Sequence, residues 1–139
     1  MSFNGILVAK LEVLDRVLAE LRTLPVLTED DLRKNWERKR AIERNLQLLV
    51  EVVVDVCQRI LSLKQQTPAS SGAQAVARCQ ELGVITNQVP YDRIVQFRNF
   101  IVHRYDSIDS SILLDVLHNR LRDFETFRDE VLRYGKAQS

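Results

Sequence analysis

The sequence predicts an all-α protein, an antiparallel bundle of about five helices, and three observations carry that expectation. Only four glycines and three prolines interrupt 139 residues, too few breakers for many short strands joined by turns. Apolar residues recur at three- and four-residue intervals along most of the chain, the period that gathers them on one helical face. In the most apolar stretch, Gln47, Glu51 and Asp55 repeat every four positions rather than every two. The many β-branched residues around them therefore do not signal a strand.

The elements follow in order. A first helix over residues 4–24 carries Ile6, Leu7, Val13, Leu14, Val17, Leu18 and Leu21 as its core stripe and is ended by Pro25. Residues 28–31 supply N-cap candidates and early acidic residues for a long second helix, 31–63, where negative charge meets the positive dipole end. Its first third is basic and its second half is apolar nearly all round, which requires burial by more than one neighbour. It is expected both at the centre of the bundle and against a second copy of the chain. Residues 67–72 (TPASSG) read as a loop, and a short helix over 73–82 ends at Gly83, a left-handed cap. Pro90 opens a helix to residue 103 with Ile94, Phe97 and Ile101 as its stripe. After cap-rich residues 106–110, a last helix runs to residue 133 on Leu113, Val116, Leu117, Leu121, Phe124, Phe127 and Val131.

Size and composition fit one domain spanning residues 1–139 with a proper hydrophobic core. With 45% apolar and 28% charged residues the chain is globular rather than disordered. Its net charge is +1, from 20 Lys+Arg against 19 Asp+Glu, so any role on RNA rests on a local patch rather than on bulk charge. The strongest patch is Arg33, Lys34, Arg38, Lys39, Arg40 and Arg44, with Glu37 and Glu43 among them. It is either an RNA-facing surface or a solvated helix face laced with Glu–Arg pairs. Cys57 and Cys79 sit in apolar helical patterns and are expected as buried free thiols. No secretory leader and no apolar run long enough to cross a bilayer are apparent, and the expected location is the cytoplasm.

Chemistry converges on Arg98-Asn99-Phe100-Ile101-Val102-His103-Arg104-Tyr105. The other histidine, His118, falls between apolar Leu117 and polar Asn119 and reads as a boundary residue. On a helix, Asn99 and His103 stack at i and i+4, while Arg98 lies some 140° round from His103. The three can share a polar arc turned away from the Ile94, Phe97 and Ile101 stripe. Metal-ligand spacing, a glycine-rich phosphate loop and a nucleophile–His pair are all lacking. No metal or cofactor is expected. What such residues can do is acid–base chemistry on RNA, which carries its own nucleophile in the 2′-hydroxyl. An imidazole titrating near ~6.5 can take or give that proton, and a guanidinium can hold the non-bridging phosphate oxygens. An arginine and a histidine that merely solvate a helix end remain the plain alternative. The strip of Arg44, Gln47, Glu51 and Asp55 either lines a cleft and steadies Arg98 or His103, or is a structural or solvated network.

The segment from Arg98 to Tyr105 resembles the signature of HEPN domains, an Arg, a polar residue, a spacer and a His. Tyr105, two residues after the histidine, resembles the form found in HepT-like toxins of HEPN–MNT modules. Residues 40–44, 81–85, 90–92, 106–109 and 123–127 resemble the same family in order, so that the likeness covers about residues 4–132. It implies a homodimeric helical bundle with two copies of the motif facing a shared cleft, and a metal-independent endoribonuclease, the toxin of a type VII pair. By the same resemblance Arg98 and His103 are catalytic and Asn99 is the polar motif position. The partner it implies is an MNT-type nucleotidyltransferase antitoxin that AMPylates Tyr105. A non-catalytic nucleotide- or substrate-binding module partnering a nucleotidyltransferase, and a plain helical scaffold, are the rival readings.

Overall fold

The structure is a computed structural model that describes residues 5–102 and 108–137. Its helices are α1 Gly5–Arg22, α2 Glu29–Lys34, α3 Trp36–Leu63, α4 Gly72–Glu81, α5 Val89–Val102, α6 Ser110–Asp115 and α7 Leu121–Ala137, with a π-helical turn Val116–Arg120 between the last two. Among the described residues there is no strand, and the expected helical bundle is present.

The axis of the bundle is α3. Its buried residues include Leu46, Leu49, Val50, Val52, Val53, Val56 and Cys57. At ~100° per residue these fall within about 160° of arc, and half-buried Leu48 and Val54 widen the apolar face to about 240°. Helices α1, α2, α4, α5, α6 and α7 all pack against it, as a helix with so little polar surface requires. Each such side chain taken fully from water is worth roughly 1.5–3 kcal/mol. Cys57 and Cys79 are free, buried thiols, with Cys79 Sγ donating to the Cys57 carbonyl at 3.5 Å. The hydrogen-bonding contact with Cys79, and then burial, push the Cys57 thiol well above its ordinary range.

Local chemistry corrects the expected boundaries. The single long helix over 31–63 is two helices, divided at Asn35. That side chain accepts a hydrogen bond from the Arg38 amide and caps α3, because a short amide competes with the helix for backbone donors. Thr28 and Asp31 form a reciprocal capping box that starts α2 at Glu29. In α1, Ile6 is 47% exposed, so the stripe begins at Leu7. The last helix extends to Ala137 and is interrupted by the π-helical turn. There Asp115 accepts from Asn119 Nδ2 at 2.9 Å and from Arg120 Nε at 3.4 Å. The widened turn brings a residue five positions on back over Asp115.

Two clamps fix α5 to α7. Arg93 grips buried Asp123 through Nε at 2.8 Å and a terminal nitrogen at 2.6 Å. The Tyr91 hydroxyl donates to Glu130 Oε1 at 2.7 Å, and the same carboxylate takes the Thr86 amide at 2.9 Å. Burial, and next the neighbouring carboxylate, raise the Tyr91 hydroxyl far above its usual range, which keeps it a donor.

Helix α4 ends as expected at Gly83 (φ 78°), with the Gly83 amide on the Gln80 carbonyl and the Val84 amide on that of Cys79. Helix α3 ends in the same motif, but with Gln65 at the left-handed position (φ 57°). A side chain there costs roughly 1–2 kcal/mol, part of which glycine returns as unfolded-chain entropy. Gln65→Gly is therefore expected to stabilise the protein by about 0.5–1 kcal/mol, read as a rise in the thermal or urea midpoint with an unchanged circular dichroism spectrum.

Candidate functional site

With α5 clamped to α7 through Arg93, its other edge faces α3. Arg98 and Ile101 from that edge meet Gln47, Val50, Glu51, Val54 and Asp55 of α3 around an open groove of about 250 Å³. The polar strip of α3 and the arginine of the motif, 43 to 51 residues apart in the chain, thus border one space.

Arg98 is half-buried, and its guanidinium lies across the first residue of α4. A Cβ placed on Gly72 would stand 2.8 Å from Arg98 Nε, 3.1 Å from its Cζ and 3.0 Å from Val54 Cγ2. The arginine thus rests on bare backbone. Among the described residues it has no ion pair: Glu51 is engaged by Arg44 at 3.3 Å and Asp55 by Lys10 at 3.6 Å. These pairs lie at the exposed rim, where each is worth no more than about 1 kcal/mol. Gln47, Glu51 and Asp55 of the strip line this groove, and Arg44 lies outside its lining. The strip does not grip the arginine.

Arg98 lines the groove and Asn99 is exposed outside its lining, while half-buried Ile101 both lines the groove and packs against the core that Ile94 and Phe97 join. The reason is helical spacing, since residues 98 and 101 share a face at i and i+3. His103 and Tyr105 lie outside the described residues. His118 is exposed, and its Nε2 accepts the Leu27 amide at 3.4 Å, which suits a boundary residue. Among the described residues no group of three or more His, Cys, Asp or Glu side chains could hold a metal ion, and no helix is long and apolar enough to cross a membrane.

The basic patch is largely neutralised. Arg33 and Lys34 pair with Asp30, Lys39 with Glu43 and Arg44 with Glu51, while Arg40 lies 6.0 Å above the exposed Trp36 ring. Its solvated, paired reading is the better one for these residues. The same region contains a residue that sequence reasoning missed. Glu43 accepts the Ile108 amide at 3.3 Å and so holds the chain where it leaves the motif. Nothing in the spacing distinguishes Glu43 from Glu37; only the folded contact does.

The bundle belongs to a recognisable class. It superimposes on the tri-AMPylated Shewanella oneidensis HEPN toxin in complex with MNT antitoxin at a TM-score of 0.77, with 23% identity over 94% of this chain and 98% of that one. A toxin–antitoxin structure with AMP-PNP matches equally, at a TM-score of 0.77, 22% identity and 94% and 99% coverage. At such identity the likeness establishes the fold, that of the HEPN toxins. Sequence goes further: residues 14–131 match the ribonuclease HepT-like family, and the chain belongs to it. It is similar to the tRNA nuclease HepT of Aphanizomenon flos-aquae (strain 2012/KM1/D3), 23% identical over 131 residues, covering 93% of this chain and 89% of that protein. It is also similar to the mRNA nuclease HepT of Shewanella oneidensis, 22% identical over 130 residues, with 92% and 97% covered.

A hydrogen bond to a charged acceptor contributes ~1.5–3 kcal/mol. Glu43→Ala is accordingly expected to speed hydrogen exchange at the Ile108 amide by about tenfold or more while leaving the amides of α7 as protected as before.

Proposed function

We propose that this chain is the toxin of a type VII (HEPN–MNT) toxin–antitoxin pair, a homodimeric endoribonuclease that needs no metal and is silenced when its antitoxin AMPylates Tyr105. The observation that carries this reading is the family match over residues 14–131, a span that includes residues 98–105, while Arg98 stands beside an open groove. The two curated relatives are named as RNA nucleases. A solved toxin of the same fold is tri-AMPylated and in complex with MNT antitoxin.

The chemistry is transesterification within the substrate. A base takes the proton of the 2′-hydroxyl, O2′ bonds to phosphorus, and the bond to the 5′-oxygen breaks as that oxygen accepts a proton. The products are a 2′,3′-cyclic phosphate and a free 5′-hydroxyl. His103 moves one of these protons, as an imidazole titrating near neutrality can. Arg98 donates to the non-bridging oxygens as charge accumulates on them. Asn99, exposed and four residues before His103 in sequence, donates to the phosphate or orients the imidazole. At about 250 Å³ the groove is smaller than the ~300–1,000 Å³ usual for ligand sites. A second copy facing it would complete a trough for a ribose-phosphate chain and double the motif. An AMP on Tyr105 adds bulk and negative phosphate close to the groups meant for the RNA backbone, so it excludes the substrate and competes for Arg98.

In EDTA, the purified full-length protein should cleave RNA to cyclic-phosphate ends. His103→Ala should lower the rate by about 10²–10⁴-fold and Arg98→Ala by about 10²–10³-fold, with unchanged thermal midpoints. A folded His103→Ala protein that still degrades RNA at the wild-type rate would remove the assignment. Co-production with the cognate nucleotidyltransferase should add AMP-sized mass increments that map to Tyr105 and vanish in Tyr105→Phe; increments that persist in that variant would place the modification elsewhere.

A further inference from the structure

We infer that Gly72, the first residue of α4, is a positioning residue for the nuclease: its missing side chain is the seat on which the Arg98 guanidinium rests beside the groove. The inference depends on the proposed role of Arg98 in holding the scissile phosphate. Gly72 is buried, and its backbone is not in the left-handed region, which among the described glycines only Gly83 adopts. Conformational freedom is therefore not why a glycine stands here. Space is the reason. An added Cβ would meet Arg98 Nε at 2.8 Å and Cζ at 3.1 Å, with Val54 Cγ2 closing the other side at 3.0 Å.

Ordinary van der Waals contact is ~3.5–4.0 Å, so a methyl group at residue 72 obliges something to retreat by roughly 1 Å. Val54 is β-branched and held in α3, with little rotamer freedom. The end of the arginine is long, half-buried and without an ion pair among the described residues. The guanidinium is the group that moves most, and the 3.0 Å contact with Val54 Cγ2 is relieved by a small shift of α4 against α3. Ser71, which caps α4 through the Gln74 amide, keeps its place. The gain of alanine over glycine in a helix offsets that shift, so Gly72→Ala should melt close to the wild-type temperature. A displacement of about 1 Å in a group that must meet a transition state can cost about 10²-fold in rate.

The test compares wild type, Gly72→Ala, Arg98→Ala, the double variant and a control, Gly5→Ala, whose added methyl meets nothing within 4 Å. RNA cleavage is followed to separate kcat from KM, and the Arg98 Nε–Hε resonance, assigned by its loss in Arg98→Lys, is followed by ¹⁵N NMR. Gly72→Ala should shift that resonance and lower kcat by about 10–100-fold with little change in KM. The double variant should be no slower than Arg98→Ala alone, and the control should match wild type. An unmoved resonance overturns the inference whatever RNA does. So does wild-type kcat in Gly72→Ala when Arg98→Ala is inactive, or an added loss in the double variant. If Arg98→Ala cleaves RNA as fast as wild type, the nuclease role of Arg98 fails and the positioning role falls with it. The resonance then reports separately whether the contact exists.

Discussion

Burial of α3 is the constraint on which the rest of the molecule depends. A helix with apolar groups at Leu46, Leu49, Val50, Val52, Val53, Val56 and Cys57 cannot leave more than a narrow strip in water. Six other helices are arranged to cover it. The strip left uncovered is Gln47, Glu51 and Asp55, and the place where α3 is not sealed is the place where a groove exists. Packing and site are thus two results of one pattern: the same four-residue repeat that marks α3 as a helix also decides where its polar edge opens.

The position of α5 follows from polar clamps rather than from its apolar stripe alone. Arg93–Asp123 and Tyr91–Glu130 lock one face to α7. Buried polar clamps of this kind add little net stability but are costly to leave unpaired, so they specify one rotational setting of the helix. That setting turns Arg98 and Ile101 toward α3 and leaves Asn99 in solvent. Helix α4 then determines how closely the guanidinium can approach, because its first residue is bare. Glu43 anchors the chain again at Ile108, so both flanks of the motif are held by α3 or by helices packed upon it. The proposed transesterification depends on positioning and charge stabilisation, which contacts that fix the elements flanking the motif would serve.

Burial and the resulting polarity also restrict where charge can act. Within the basic stretch, Arg33, Lys34, Lys39 and Arg44 are paired with nearby carboxylates. Recognition of a polyanion through this surface would have to break those pairs. Among the described residues Arg98 carries no such pair and, unlike the likewise unpaired Arg38 and Arg40 of the patch, borders the groove.

Much of this was legible from residue order alone. Helical class, the central place of α3, the Gly83 cap and the free buried cysteines follow from periodicity, breaker residues and short-range chemistry, which depend on neighbours within a turn or two. The segment from Arg98 to Tyr105 stood out through its family resemblance, since its residues alone also fitted a solvated helix end. The break at Asn35 and the π-helical turn near Asp115 were not legible, because a side chain's choice between helix and cap is set by fractions of a kilocalorie that tertiary contacts override. The groove shared by α3 and α5, the seat at Gly72 and the grip of Glu43 on Ile108 lay further out of reach. They join residues 26 to 65 positions apart, and no local period records which long-range neighbour will fill, or leave empty, a given space.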